Sequence, residues 1–241
     1  MKENVYDLTV IVPYFNEETT LEKSINRLNK VTIIKEIFLV DDSSIDESSK
    51  IGKLLEKNIN KVRYFKTPIN LGKGGAVVYP LKEVRTSHTV IHDADLEYNP
   101  NDIYKIFEAR TSSELIILGT RFDSKNKNEV KMNLTLEYIE KVSTKLFNNL
   151  FKTNLTDIGS GYKLIPTDFL QKSSFKEKGF FFEIELLAKF LKIGGLVYEV
   201  PISYHGRSKS EGKKNNSLIM LRFLIKVLSI KIRLYSKVKS K

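Results

Sequence analysis

The chain has 241 residues, 41% of them hydrophobic and 29% charged, with 12 Gly and 6 Pro. That composition supplies enough apolar surface for a packed core and excludes a collagen-like or wholly disordered chain. With 0 Cys and 3 His, disulfides, thiolate catalysis, Cys-ligated zinc and a His-rich metal site drop out, while a net charge of +11 points to an anionic partner.

In chain order, residues 7–12 (DLTVIV) predict a short strand that Pro13 stops. Leu21, Ile25 and Leu28 recur at helical spacing within 17–29. Residues 36–41 (EIFLVD) predict a second strand, running into Asp41-Asp42-Ser43-Ser44, and Asp46 has the chemistry of an N-cap for a helix over 47–57. A third strand is expected at 61–65 (KVRYF). The glycine loop Asn70-Leu71-Gly72-Lys73-Gly74-Gly75 follows, then a helix to about Val84. Residues 89–92 (TVIH) predict a fourth strand ending at Asp93-Ala94-Asp95; Asn99-Pro100 opens another helix, and 114–118 (ELIIL) predict a fifth strand.

These strands are continuous apolar runs separated by helices. The expected fold class is therefore α/β, with a mostly parallel sheet buried on both faces. In open α/β sheets, ligands sit at the carboxyl ends of the strands. Asn16-Glu17, Asp41-Asp42 and Asp93-Ala94-Asp95 all fall there.

Asp93 and Asp95 project to one side if the chain between them is extended. Two carboxylates so placed repel unless a cation lies between them, and hard oxygens suit Mg²⁺ or Mn²⁺ gripping a diphosphate. A bare D-x-D is more often a solvated turn; its place at a strand end favours the chemical reading. The glycine loop would lay backbone N–H groups and Lys73 against a phosphate, or serve as a plain helix entry. It has neither Walker A nor G-x-G-x-x-G spacing. Asp42 has the acceptors to read a nucleobase edge, and Phe15 would stack on the base or pack in the core. Arg121, after the fifth strand, would neutralise a phosphate. The polar run 156–163 reads equally as an acceptor loop or a turn.

The charge is lopsided. From Ser203 to Lys241, eleven Lys/Arg meet a lone Glu211, so the body is near neutral. Such a tail suits a membrane surface better than nucleic acid, and no nucleic-acid partner is expected. Arg207, Lys209, Lys213 and Lys214 form a basic loop. Within 217–236, Arg222, Lys226, Ser229 and Arg233 make a basic stripe continuing to Lys237. Leu218, Leu221, Leu224, Ile225, Leu228, Ile232 and Tyr235 make an apolar face. This helix would lie in a headgroup region or pack on a partner, or else be a core helix with a solvated stripe. No apolar run reaches about 18 residues without a charge, so no transmembrane helix is expected. The start Met1-Lys2-Glu3-Asn4 suggests no secretory signal.

Seven segments stand in an order that resembles glycosyltransferase family 2 enzymes of GT-A fold: TVIVPYFNEE, FLVDDSSID, NLGKGGAVV, DADLEYNP, GTRF, LTDIGSGYKL and EVPISYHGR. The resemblance covers roughly residues 7–215. It is nearest to polyprenyl-phosphate hexosyltransferases of the dolichyl-phosphate mannose and glucose synthase type. It implies an inverting transfer of a hexose from a nucleotide sugar to a polyprenyl phosphate, with Mg²⁺ or Mn²⁺. By resemblance, Pro13, Phe15, Glu17, Asp42, Lys73, Asp93, Ala94 and Asp95 would line the nucleotide pocket. Asp93 and Asp95 would hold the metal with Glu97 as a further ligand, and Arg121 would sit near the diphosphate. Asp157, Ser160 and Lys163 would face the acceptor, and Arg207 with Lys213 would hold phosphates. Relatives usually carry Tyr at the Phe15 position and often Gly at the Ser43 position. The tail lacks the R-x-x-G-x-S-K spacing of mannose synthases, which favours UDP-hexose over GDP-mannose. The implied arrangement is a catalytic domain over 1–215 and a basic amphipathic helix over 216–241, peripheral on the cytoplasmic face of a membrane. A sugar hydroxyl is the alternative acceptor, with Asp157 as base; a non-catalytic nucleotide-sugar-binding module is the other.

Overall fold

The computed structural model describes residues 7–112, 115–122, 130–131, 134–206 and 218–236. In chain order the elements are β1 (Leu8–Tyr14), α1 (Leu21–Asn29), β2 (Glu36–Asp41), α2 (Ser48–Asn58), β3 (Val62–Lys66), α3 (Lys73–Val78), β4 (His88–Ile91), α4 (Asp102–Glu108), β5 (Leu115–Thr120), β6 (Val130–Lys131), α5 (Leu134–Phe151), β7 (Lys163–Pro166), α6 (Thr167–Lys172), α7 (Phe182–Lys192), β8 (Leu196–Pro201), β9 (Tyr204–His205) and α8 (Leu218–Ser236). Seven strands form one sheet in the order β3-β2-β1-β4-β7-β5-β8, and β6 pairs with β9. Only β7 runs against its neighbours in the large sheet.

The apolar runs become strands because both faces are covered. Val10 and Val12 pack with α1, α2 and α4, while Ile11 between them packs with α3, α5 and α7 on the other face. Helix α1 buries Leu21, Ser24, Ile25 and Leu28, one stripe at helical spacing. The N-cap position of α2 is Glu47, one residue later than expected, and Asp46 Oδ1 accepts the Ser48 N–H at 3.0 Å from just outside the helix.

Three further local expectations needed correction. Pro13 does not stop β1; the strand continues to Tyr14 in the middle of the sheet. The amides explain this. His92 N donates to Ile11 O on the β4 side, and Asp42 N to Tyr14 O on the β2 side. Alternation turns Pro13 toward β4, whose pairing with β1 ends at Ile91, so no ladder bond is lost. The helix after the glycine loop ends at Val78, and a short 3₁₀ turn over Leu81–Glu83 follows Pro80, which has no N–H to continue the ladder.

The third correction concerns α8. Val227 and Ile230 are fully buried, and Phe223 and Leu234 pack beside them, giving a docking line at i, i+4, i+7, i+11 against the core under α5 and α7. Of the expected apolar face, Ile225, Leu228, Ile232 and Tyr235 are exposed, so a second apolar stripe is the one that docks on the body. Part of the basic stripe turns inward, because Lys226 and Arg233 pair with Glu177, and Arg233 also with Glu185.

Candidate active site

Strands β1, β2 and β4 all end at one edge of the sheet. The residues after them wall a cavity of about 360 Å³, within the usual range for a small-molecule site. All eight residues expected at a nucleotide pocket line it: Pro13, Phe15, Glu17, Asp42, Lys73, Asp93, Ala94 and Asp95. Tyr14, Asn70, Gly72, Ala76 and Phe180 complete the wall. Phe15 is 44% exposed and Phe180 80%, so two ring faces are open to a planar guest.

The turns at this edge are strained. Asn16, Ser43 and Leu96 hold φ of 55°, 61° and 67°, in the left-handed region that costs a non-glycine residue about 1–3 kcal/mol. Here the Ser43 hydroxyl donates to Thr67 O at 2.8 Å, a bond glycine lacks.

Asp42 is engaged by the protein. Its Oδ1 accepts from Leu71 N at 2.7 Å and Thr67 Oγ1 at 3.0 Å, and its Oδ2 from Gly72 N at 2.7 Å. Gly75 N donates to Lys178 O at 3.0 Å. The expectation of free loop amides for a phosphate is therefore corrected for these three: they are satisfied internally. Asp42 acts as the brace of the glycine loop.

Lys73 sits between two carboxylates, Nζ lying 2.7 Å from Asp93 Oδ1 and 2.6 Å from Glu183 Oε1. Burial works against its charge, but Asp93 and Glu183 outweigh that and hold the ammonium well above the ordinary lysine value. Glu183 also pairs with Lys163 at 2.9 Å. Burial opposes the Glu183 charge, yet Lys163 and Lys73 hold its carboxyl below the ordinary value. An alternating row Asp93–Lys73–Glu183–Lys163 thus runs from the cavity into the core.

Asp93 and Asp95 both line the cavity. Glu97 does not join them as a third ligand; it is buried and accepts the Tyr204 hydroxyl, while its own N–H bonds Asp95 Oδ1 at 3.1 Å. Among the described residues no group of three or more His, Cys, Asp or Glu is placed to hold a metal. Lys73 Nζ meets both Asp93 oxygens, at 2.7 and 2.9 Å, so a cation would share Asp93 with it; the hard carboxylate oxygens of Asp93 and Asp95 still suit Mg²⁺ or Mn²⁺, which take further ligands from substrate phosphates.

The acceptor-side expectations meet a buried network. Arg121 is 5% exposed and does not line the cavity. Its Nε and Nη2 donate to Asp157 Oδ2 and Oδ1, each at 2.7 Å, and its backbone N donates to Oδ2 at 2.9 Å. Burial penalises that guanidinium, and Asp157 more than restores it, leaving the group well above its ordinary value. Asp157, Ser160 and Lys163 are completely buried. So the expected phosphate contact and the expected base neutralise each other, and none of the three faces an open acceptor site. The segment still reaches the centre: a Cβ on Gly161 would lie 2.9 Å from Asp93 Oδ2. Arg207 and Lys213 lie outside the described residues.

Sequence reasoning missed Glu183, Glu140 and Phe180. Glu183 carried a signal, an acid inside the apolar run FFFEIELL, which folds only if buried against a cation. Glu140 lies 3.7 Å from Arg121, and burial pushes its carboxyl up despite that neighbour. Phe180 carried none.

Residues 9–173 match the family model described as Glycosyl transferase family 2. An undecaprenyl-phosphate mannosyltransferase from Micrococcus luteus is 24% identical over 216 residues, covering 87% of this chain and 88% of that protein. A dolichol-phosphate mannosyltransferase from Mycosarcoma maydis is 25% identical over 232 residues, covering 92% and 78%. Among solved structures, glucosyl-3-phosphoglycerate synthase from Mycobacterium tuberculosis, in complex with Mn²⁺, UDP and phosphoglyceric acid, superposes with a TM-score of 0.68 at 17% identity, covering 93% of this chain and 78% of that one. The same enzyme with Mg²⁺ and UDP gives 0.67 at 17% identity, over 92% and 78%. At that identity the likeness is one of fold.

Proposed function

The chain belongs to glycosyl transferase family 2 and is a glycosyltransferase of GT-A fold; we propose that it moves a hexose from a nucleoside diphosphate sugar to a polyprenyl phosphate at a membrane surface. The observation that carries this reading is the cavity. It joins an exposed aromatic wall to the Asp93–Asp95 pair, in a chain whose curated relatives are named for polyprenyl-phosphate transfer.

In this reading Phe15 and Phe180 hold the base, and Asp42 fixes the loop that shapes the floor. Lys73 sets the orientation of Asp93. Glu17, Asp42, Asp93 and Asp95 face the cavity against one lysine among the described residues that line it. A diphosphate enters such a field only with a cation. Asp93 and Asp95 would hold Mg²⁺ or Mn²⁺, which supplies charge neutralisation for the departing diphosphate. A phosphate acceptor oxygen is already anionic at neutral pH, so no general base is required. The engagement of both Asp157 oxygens by Arg121 favours this acceptor over a sugar hydroxyl, which would need a base. Arg207 and Lys213 are proposed to hold the acceptor phosphate.

The outward face of α8, with Ile225, Leu228, Ile232 and Tyr235 exposed beside Arg222, suits a lipid headgroup region. No helix among the described residues is long and apolar enough to cross a membrane. The relatives' names point to mannose, whereas the tail spacing favours UDP-hexose, so the donor panel includes both.

The test is nucleoside diphosphate release from UDP-glucose and GDP-mannose with Mn²⁺ or Mg²⁺ and a short polyprenyl phosphate. Release that needs both metal and lipid is expected, and Asp93→Asn or Asp95→Asn should abolish it in folded protein. Release indifferent to the lipid would move the acceptor to a glycan. No release from any donor by folded protein would overturn the proposal.

A further inference from the structure

Helix α8 and the glycine loop grip the same short segment from opposite sides. On the α8 side, the Glu177 carboxylate pairs with Lys226 at 2.7 Å and Arg233 at 2.9 Å. Arg233 reaches on to Glu185 of α7 at 2.9 Å, and Glu185 Oε2 accepts the backbone N–H groups of Lys176 and Glu177, each at 2.8 Å. Burial disfavours the Glu177 charge, but Lys226 and Arg233 hold its carboxyl below the ordinary value. Residues 176–177 are thus clamped between two helices.

One residue further on, the same segment supports the cavity. Lys178 O accepts Gly75 N–H at 3.0 Å. It also stands 2.8 Å from where a Cβ on Gly72 would lie, and Gly72 holds a φ of +76°. The loop therefore packs backbone to backbone on Lys178, with no flexible side chain between to absorb a shift. Phe180, two residues on, is itself part of the cavity wall. Phe181 stacks edge-on with Phe223 of α8, ring centres 5.7 Å apart.

We propose that Glu177 is a positioning residue that couples the seating of α8 on the body to the affinity of the cavity for a nucleoside diphosphate. With α8 docked, the clamp fixes Lys178 and Phe180, and these fix the glycine loop and one aromatic wall. With α8 lifted, the segment loses its charged partners and the wall loses its support. Because α8 also carries the outward apolar stripe, whatever seats or lifts this helix would adjust donor binding. Coupling of this kind is reciprocal, so nucleotide must in turn tighten α8. The inference rests on the reading of the cavity as the donor site.

The experiment uses the full chain with UDP and GDP in the presence of Mn²⁺, and has two readouts. Calorimetry measures binding to wild type, Glu177→Gln, Arg233→Met and their combination, with Ser229→Ala, an exposed position, as a control on the same helix. Glu177→Gln and Arg233→Met should each weaken binding by about tenfold, within the usual range for coupled sites, although neither residue lines the cavity. The combination should add little, and the control should bind as wild type. Hydrogen exchange then follows α8 amides: nucleotide should slow them in wild type and not in Glu177→Gln. Wild-type affinity in both single variants would overturn the coupling, as would α8 exchange in wild type that ignores saturating nucleotide; the latter measurement stands even if a variant fails to fold. Failure of wild type to bind either nucleotide would instead overturn the donor-site reading, and the coupling with it.

Discussion

Replacing Arg121 by methionine separates a structural arginine from a substrate-binding one. The guanidinium is 5% exposed and makes both bonds to Asp157 at 2.7 Å, and Asp157 itself is fully buried. Arg121→Met keeps the length of the side chain and removes the charge. Asp157 is then left with the backbone N–H of residue 121, at 2.9 Å in the native protein, and with Glu140 nearby. Removing one partner of a buried ion pair costs about 3–5 kcal/mol. Against a typical total stability of about 5–15 kcal/mol, that is a large share. For a chain of this size it corresponds to a fall in melting temperature of roughly 6–20 °C. Replacing both partners, as in Arg121→Met with Asp157→Leu, removes the stranded charge and should recover more than half of the loss. The assay is paired: urea or thermal unfolding, and nucleoside diphosphate binding by calorimetry. The expected result is a destabilised single variant and a double variant that is near wild type in both assays. An Arg121→Met protein that unfolds at the wild-type midpoint would refute the buried-pair reasoning. A stable double variant unable to bind nucleotide would return Arg121 to the donor diphosphate.

Gly72→Ala places a Cβ 2.8 Å from a backbone oxygen that cannot move aside, at φ 76° and ψ 164°, a region essentially reserved for glycine; the backbone strain alone costs about 1–3 kcal/mol, and calorimetry should show weakened nucleotide binding as well. His92 is bonded to Tyr162 at 2.7 Å and Ser24 at 3.3 Å, and burial, helped by Arg27 and Lys73, pushes its pKa down to about 3 from 6.5. Between those values the unfolded chain binds a proton that the folded chain refuses. Stability is therefore full above 6.5 and falls as pH drops, by about 1.4 kcal/mol per unit. Glu177 and Glu183, whose carboxyls are held below 4.5, lose their contribution only under that value, whereas Glu140 and Glu199, pushed up by burial, keep protons above it in the folded chain and add a slope of opposite sign. His88 is shifted down too, so the measurement is the slope of urea midpoints in wild type minus that in His92→Gln, which should be smaller by one proton. Finally, Ile225→Ser with Ile232→Ser, at positions 55% and 67% exposed, should weaken binding to anionic vesicles with little change in melting temperature. Val227→Ala, at a fully buried position, should instead cost about 1–3 kcal/mol of stability, less than the larger truncations of buried Leu or Ile.

Much of the site was legible because it is built from local rules. A buried parallel strand must be a continuous apolar run, its carboxyl end must be polar, and the polar residues after β1, β2 and β4 must then meet at one edge. That placed Phe15, Glu17, Asp42, Asp93 and Asp95 around one cavity without any knowledge of the chain's path. The Gly-rich loop was legible for the same reason, since only glycine adopts the φ of Gly72 cheaply. Glu97 was misplaced because spacing two residues beyond Asp95 says nothing about Tyr204, 107 positions away, which takes its carboxylate. The helix over 218–236 was legible as a helix, but its faces were not: two apolar stripes compete, and burial of Val227 and Ile230 depends on the surface that α5 and α7 present.

By itself, then, the sequence determined the fold class and the edge of the sheet where the chemistry gathers, because periodicity and strand-end polarity are properties of neighbouring residues, and the resemblance of seven ordered motifs pointed to the family. Only the tertiary structure decided which charges are spent. Lys73 is committed to Asp93 and Glu183, Arg121 to Asp157, Lys163 to Glu183, and Arg233 to Glu177 and Glu185. A buried charge must find a counter-charge through space, and the cost of leaving it unpaired is set by desolvation. Both depend on segments far apart in the chain, which no local pattern encodes.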